Sequence, residues 1–495
     1  MPEQRLTLEQ IVQRAGDRLA TQTDLSAPTR IDLLRLLAEV SMAASDFPQA
    51  QRLLDQAMEA GRTTWAANDV ARRRIRLLQA QLLILQTRYA DAADAYEALL
   101  PQLRDATDEA AIRGLQNYAR ALMYSARSEK ALAISAEATQ AAAGVYGAES
   151  QGTALAALEH AGILLGAGQT TEAVAAYEPA LQRWRDRAWA PSPEFLQGLI
   201  RLSRARLDLG DTQAAERLAR ENLTAVERLY QPPHEQIARA LLNLGEVLIA
   251  QERLDDAEPA LSRALAMYRT IYGEGEMRDV NTSARIGLLQ WRRRDLEAAA
   301  QTIVQAWRWC TRPGLHATRT CIELDTEQAR IALARGELAA VEISSTRGLT
   351  MAREIYRDGG GAVAELLQLR AGAQLAGGDA AAALRSCDEA LSRLQATGEA
   401  EGPVAVEVLA RRAAALEAVQ RIADARTDVE HALRLSARMA PEGYRRQVEL
   451  LAQRARLQAA AGDAAAARAT AQSARALIRR REEIDPAALA VLQRY

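Results

Sequence analysis

Chemistry in this chain would have to come from its four histidines, three cysteines, three arginine runs or its many carboxylates. His160, His234, His316 and His431 stand far apart, none beside a cysteine or a second histidine at metal-ligand spacing, so no metal site is expected. No Gly-rich phosphate loop leads into Lys-Ser/Thr and no H-R-D or D-F-G signature occurs, so these residues hold no kinase site. With no catalytic constellation the chain reads as a non-enzyme that needs no cofactor. The runs Arg72–Arg74, Arg292–Arg294 and Arg479–Arg481 fall in different phases of the repeat described below and cannot form one strip, so nucleic acid is not an expected partner. They read as solvated faces, the second complementing the dipole at a helix end. Cys310 and Cys321 flank a turn at Thr311-Arg312-Pro313-Gly314 that would let two helix ends approach within disulfide distance. Buried thiols and a bridge both remain open there, and Cys387 is free in either case.

Composition limits the scaffold that could position such residues. The chain has 495 residues, with 62 basic and 64 acidic side chains for a net charge of −2, so nothing global draws it to nucleic acid or a membrane. Aromatics make up 4%, with two Phe, which fits helix-on-helix packing and not the aromatic and β-branched runs of sheets. No apolar window approaches the length of a membrane span, and the opening residues lack the regions of a signal peptide, so no membrane insertion is expected.

Ala240 to Tyr272 shows the organising unit. Leu241, Leu244 and Leu248 form one apolar stripe, Glu252 to Asp255 make a turn, and Ala257, Leu261, Ala264 and Leu265 form a second stripe with small residues where two axes must approach. The alanine opening the second helix recurs as Ala50, Ala92, Ala131, Ala173, Ala215, Ala257, Ala299, Val341, Ala383, Ala425 and Ala467, every step being 42 residues except one of 39. Twelve residues before each stands Ala38, Ala80, Ala119, Ala161, Ser203, Gly245, Gly287, Ala329, Ala371, Ala413 or Ala455. A small residue in both tracks through eleven registers establishes a helical repeat. Pro101 should end or kink the last helix of the second unit. The stretch beyond the eighth unit, rich in Ala and Gly, reads as loosely packed.

Leu241, Leu244, Gly245, Leu248, Ala257, Leu261 and Ala264 resemble the signature of the tetratricopeptide repeat. The 42-residue period resembles the kinesin-light-chain variety, whose eight extra residues would add roughly 12 Å of helix. Degenerate forms of that variety's Y-G-x-x-H-P loop begin at Tyr146, Tyr230, Tyr272 and Tyr356, whose rings are expected to plug the junctions between units, with Trp189 as a variant plug. His160 takes the family's Leu position and reads as a partly buried structural imidazole. The opening L-T-L-E-Q-I-V-Q-R-A-G-D-R-L-A resembles the segment that introduces such arrays in bacterial serine/threonine kinases. That resemblance implies a fragment whose catalytic half lies elsewhere, extracytoplasmic if the parent spans a membrane and cytoplasmic if the chain is complete; it also raises the prospect of the Cys310–Cys321 bridge.

The implied fold is all-α, a right-handed superhelical solenoid of about eleven helix pairs with a capping helix at each end: residues 1–30 as cap and linker, 31–484 as solenoid, 485–495 as closing cap. The family's groove-facing positions map to Arg113, Gln116, Asn117 and Arg120 in the third unit, Arg201 and Arg204 in the fifth, and Arg239, Asn243, Glu246, Asn281, Arg285 and Trp291 in the sixth and seventh. Asn117 and Asn243 stand where many peptide-binding members bond the ligand backbone, and the neighbouring arginines would select acidic groups. The Lys residues of the family's carboxylate clamp are missing. The resemblance thus implies a scaffold binding a protein or peptide segment in its groove, or alternatively a receptor for a small ligand or signalling peptide; the same residues also read as ordinary exposed polar side chains.

Overall fold

The computed structural model describes residues 8–21, 25–44, 46–62, 64–66, 69–105, 107–125, 127–312, 319–356, 360–439 and 445–495. All regular structure among them is helical, arranged as eleven successive pairs between the terminal helices Leu8–Thr21 and Pro486–Arg494. The chain packs as two compact bodies, residues 1–167 and 168–495, with the division inside the fourth pair.

The first body holds the opening helix, the pair Ala27–Ala43 and Phe47–Gly61 (unit 1), unit 2, the pair Glu109–Tyr124 and Ser128–Tyr146 (unit 3), and Gln151–Gly166. In unit 2, Val70–Leu85 is followed by a helix in two pieces, Tyr89–Glu97 and Leu100–Arg104. Pro101 stands in the first turn of the second piece, where its missing N–H costs nothing, so the break expected from its sequence position is present. Leu34, Leu53, Leu54 and Ile75 form one core and Tyr96, Leu103, Leu115 and Tyr118 the next.

The second body starts with Thr170–Asp186 and continues through unit 5 (Pro193–Asp208, Thr212–Leu229), unit 6 (Glu235–Ala250, Leu254–Tyr272), unit 7 (Met277–Arg292, Leu296–Trp307), unit 8 (Arg319–Arg335, Leu338–Tyr356), unit 9 (Gly360–Ala376, Ala380–Ala396), unit 10 (Pro403–Ala418, Ile422–Met439) and unit 11 (Arg445–Ala460, Ala464–Leu477). Every residue of the marker track, from Ala50 to Ala467, is completely buried. The companion track explains why small residues are required there. A Cβ on Gly245 would lie 2.6 Å from Leu261 Cδ2 in the facing helix, and Ser203, the one polar member, donates its hydroxyl to the Ala215 carbonyl at 2.9 Å. Four residues before the marker, Asp46, Asp211, Asp295, Asp379 and Asp463 cap the second helices by accepting a backbone N–H, a contact worth about 1 kcal/mol each.

The alanine-rich units beyond the eighth are not loose. Ala364, Leu366, Ala371, Ala383, Cys387, Ala390, Leu394, Ala405 and Val408 are inaccessible within one continuous core. Short side chains bring the helix axes closer and leave no voids to fill.

The second body also closes on itself. The Thr170 hydroxyl donates to Glu399 at 3.3 Å and the Thr212 hydroxyl to the Met439 carbonyl. Glu252 accepts the backbone N–H groups of Arg445 and Arg446, both at 3.0 Å, while Arg480 pairs with Asp255 and Arg294 with Asp485, both at 3.0 Å. The turns inside units 4 to 7 therefore meet the linkers after units 9, 10 and 11, about five units further on. Backbones touch at this seam: a Cβ on Gly402 would stand 1.8 Å from the Asp208 carbonyl oxygen.

Glu399 is the titrating member of the seam. Burial pushes its carboxyl up to about 7 and the charge of Asp208 adds to the rise, against hydrogen bonds from the Gly361 N–H, Thr170 and Thr397. A carboxyl raised in the folded state binds its proton more tightly there than in the unfolded chain, so stability is complete below about pH 4.5 and falls as pH rises to about 7. Thermal melts should accordingly show the second body less stable at pH 8 than at pH 5.5, and Glu399→Gln should flatten that dependence; an unchanged slope in the variant would remove Glu399 from the seam's energetics.

Candidate functional site

The first helices of the second body carry charge on one shared face. The phase occupied by Arg239 and Asn281 continues at 42-residue steps to Glu323, Glu365, Glu407 and Glu449. Arginines from the same or neighbouring units bind this acidic row. Arg285 lies 2.6 Å from Glu246 and 2.7 Å from Glu323, Arg204 lies 3.8 Å from Glu246, and Arg330 bonds Glu327 at 3.0 Å and also Glu365. Arg446 pairs with Glu407 at 2.9 Å and Glu449 at 3.0 Å. Burial raises the Glu246 carboxyl, but Arg204 and Arg285 more than offset it and hold it below the usual range. Glu407 behaves alike under Arg446 and Arg292, whereas burial and the neighbouring Glu407 leave Glu449 raised.

Several residues singled out in sequence are thus committed to partners within the fold. Glu246 and Arg285 are linked in the ladder. Arg239 bonds Gln197 and Glu235. Asn243 is buried, its amide donating to Ser203 Oγ at 3.1 Å while its Oδ1 and that of Asn281 find no partner among the described residues. Arg201 and Arg204 are half-buried. In the first body Asn117 is buried, Gln116 half-buried, Arg120 lies 3.3 Å from Glu159, and Arg113 is exposed and paired with Glu109. Trp291 lines a cavity, its ring between Arg292 at 5.1 Å and Arg330 at 4.9 Å from the ring centre.

That cavity was not foreseen. It has a volume of about 460 Å³ and lies between the first helices of units 7 to 11 and the closing segment. Leu333, Ala334, Leu369, Leu375 and Ala376 form an apolar wall. Six arginines and five carboxylates also line it, Arg292, Arg294, Glu407, Arg411 and Arg446 among them, together with Trp291, Gln368 and Gly372. Arg292 and Arg294 belong to a run that reads in sequence as a solvated face; only Arg293 points to the outer side, pairing with Asp255 and Glu258. The 42-residue row of glutamates was the available signal, but the enclosure depends on the seam, which joins residues some 190 apart.

The His160 imidazole hydrogen-bonds Ser135 Oγ at 2.7 Å, and burial lowers its basicity, as suits a structural residue. Tyr146 packs over Gly152 of the next helix, and the exposed Tyr272 donates its hydroxyl to Glu235 at 2.5 Å. Trp189 meets Trp184 edge-on at 5.3 Å, and Tyr230 stacks on His234; the Tyr356 side chain, His316 and Pro313–Gly314 lie outside the described residues. Cys310 and Cys321 come together with Cα atoms 5.8 Å apart, and Cys387 is buried and free. Among the described residues no group of three His, Cys, Asp or Glu is placed for a metal, and no helix is long and apolar enough to cross a membrane.

The ladder predicts an asymmetric response to mutation. Arg285→Ala leaves Glu246 and Glu323 without their shared cation and should cost about 3 kcal/mol in urea unfolding. Arg113→Ala, at an exposed pair, should cost less than about 0.5 kcal/mol. Equal costs would mean that the ladder does not stabilise the second body.

A tetratricopeptide repeat family model matches residues 195–270 and 236–306. No curated protein matches the chain in sequence. Among solved structures, a Rap protein complexed with Competence and Sporulation Factor is similar at 13% identity and a TM-score of 0.52, covering 74% of this chain and 98% of that one. The apo form of the quorum sensor NprR from B. thuringiensis is similar at 12% identity and a TM-score of 0.51, covering 74% and 100%; the apo form of RapI gives 11%, 0.52, 74% and 97%. The matched stretches are tetratricopeptide repeats, and the chain shares its all-helical solenoid fold with Rap and NprR.

Proposed function

We propose that this chain is a non-catalytic binding protein that receives a short peptide or a polar ligand of similar size in the chamber of its second body and transmits occupancy to a partner protein. The observation that carries this reading is the chamber itself: about 460 Å³, within the range of small-ligand sites, with one apolar wall and convergent charged groups. The seam helps to enclose it, so a ligand that fits the closed form favours closure, and a partner that reads the outer surface can sense it. The fold shared with a Rap protein seen with Competence and Sporulation Factor and with the quorum sensor NprR supports the receptor reading over an open groove. Commitment of Glu246, Arg285 and Asn243 to internal partners points the same way.

The test is affinity selection from a random library of short peptides. The wild-type protein should retain a subset, and Ala376→Trp, which fills the chamber from its apolar wall, should lose that subset while keeping its helical circular dichroism. If the same subset is retained by the variant, the chamber is not the binding site.

The setting within a bacterial serine/threonine kinase is supported by the opening segment alone, and an upstream kinase domain in the parent reading frame would establish it. A bridge between Cys310 and Cys321 accords with an extracytoplasmic location for such a receptor. Mass spectrometry of alkylated, non-reduced protein from an oxidising compartment should yield the linked peptide pair; full alkylation of both cysteines would remove that support.

A further inference from the structure

The chamber's charges are almost completely paired, and the exception identifies what a ligand must bring. Arg294 is held by Asp485 at 3.0 Å, Arg445 by Glu483 at 2.5 Å, and Arg446 by Glu407 and Glu449. Arg330 is fixed between Glu327 and Glu365, and Arg292 stands 3.9 Å from Glu407. Arg411 makes no hydrogen bond or ion pair among the described residues, yet it lines both the 460 Å³ chamber and an adjoining cavity of about 290 Å³. Its place is set by an absence of bulk opposite: a Cβ on Gly372 would lie 3.0 Å from Arg411 Cζ and 2.6 Å from Leu333 Cδ2. Burial depresses its basicity, Arg446 adds to the effect, and Glu407 offsets part of it. The guanidinium is half-buried and in direct contact with no carboxylate, so an arriving anion would supply the hydrogen-bonded partner that Glu407, acting only from a distance, does not.

Resting on the reading of the chamber as a ligand site, we propose that the ligand is anchored by a carboxylate seated on Arg411, with an apolar side chain beside it against Leu333, Leu369 and Ala376. The planar fork of a guanidinium matches a carboxylate with two parallel hydrogen bonds. One negative charge balances one unpaired cation, whereas a phosphate dianion would meet the charge of the nearby Glu407. A peptide ending in a free carboxylate and an apolar residue has this chemistry; so does a small apolar acid.

The experiment uses the whole chain and four probes in isothermal titration calorimetry: acetylated tetrapeptide mixtures ending in leucine as the free acid, the same mixtures as the amide, N-acetyl-leucine, and inorganic phosphate. The wild-type protein should bind the acid mixture at least about tenfold tighter than the amide, and Arg411→Gln should abolish the preference. Gly372→Ala, which pushes the guanidinium aside, should weaken it, so the proposal stays testable if Arg411→Gln fails to fold. N-acetyl-leucine binding as tightly as the acid mixture would support the anchor with a small acid as its source. Equal binding of acid and amide, abolished by Ala376→Trp, would overturn the carboxylate anchor and leave the chamber reading standing. A preference that survives Arg411→Gln, or displacement of the acid mixture by phosphate at equal concentration, would also overturn it. If the wild-type protein binds neither mixture while library selection succeeds, the anchor fails alone; if both fail, the chamber reading falls with it.

Discussion

Everything in this molecule depends on how closely two helices approach at one point in each repeat. The marker residue and its companion twelve positions earlier are small and buried, and at Gly245 even a single methyl group would collide with Leu261. That contact sets the axis separation within a pair, and a recurring separation lets pairs stack in a constant relation to their neighbours. The alanine-rich later units follow from the same requirement: their closeness substitutes for the bulk that Tyr96, Tyr118 and Trp184 supply earlier.

A regular stack places equivalent positions of successive first helices side by side, so a charge repeated at the repeat period becomes a row. In the second body this row is acidic from Glu323 to Glu449, and it survives burial because arginines from adjacent units are interleaved with it. Such a ladder does not rank among the strongest sources of stability, since desolvation cancels much of the attraction. What it provides is a defined interior. Side chains that would otherwise collapse the chamber are held against one another, and the space bounded by Trp291, Leu369 and Arg411 stays open.

The seam adds a second level of organisation. Contacts such as Thr170 with Glu399 and Arg294 with Asp485 bring together segments separated by one circuit of the stack, so the chamber is enclosed by the return of the chain and not by any one repeat. Enclosure and local stability are coupled there. A raised carboxyl at Glu399 and backbone contact at Gly402 make the seam sensitive to pH and to added bulk.

The sequence by itself determined the repeat: the eleven pairs, the buried tracks, the capping helices at either end and the break at Pro101 are local consequences of side-chain size, periodicity and backbone chemistry. It also carried the row of glutamates at 42-residue spacing, although nothing local distinguished a buried row from a solvated one. The tertiary structure alone decided which polar residues are spent and which are available. Asn243 has groove-facing phase yet lies buried on Ser203, while Arg411, undistinguished in sequence, ends half-buried in the chamber wall with no hydrogen bond or ion pair among the described residues. The reason is one of accumulation. A small rotation per repeat, too slight to read from any single unit, brings segments about 190 residues apart into contact in the second body, and a surface becomes an interior only when that circuit closes.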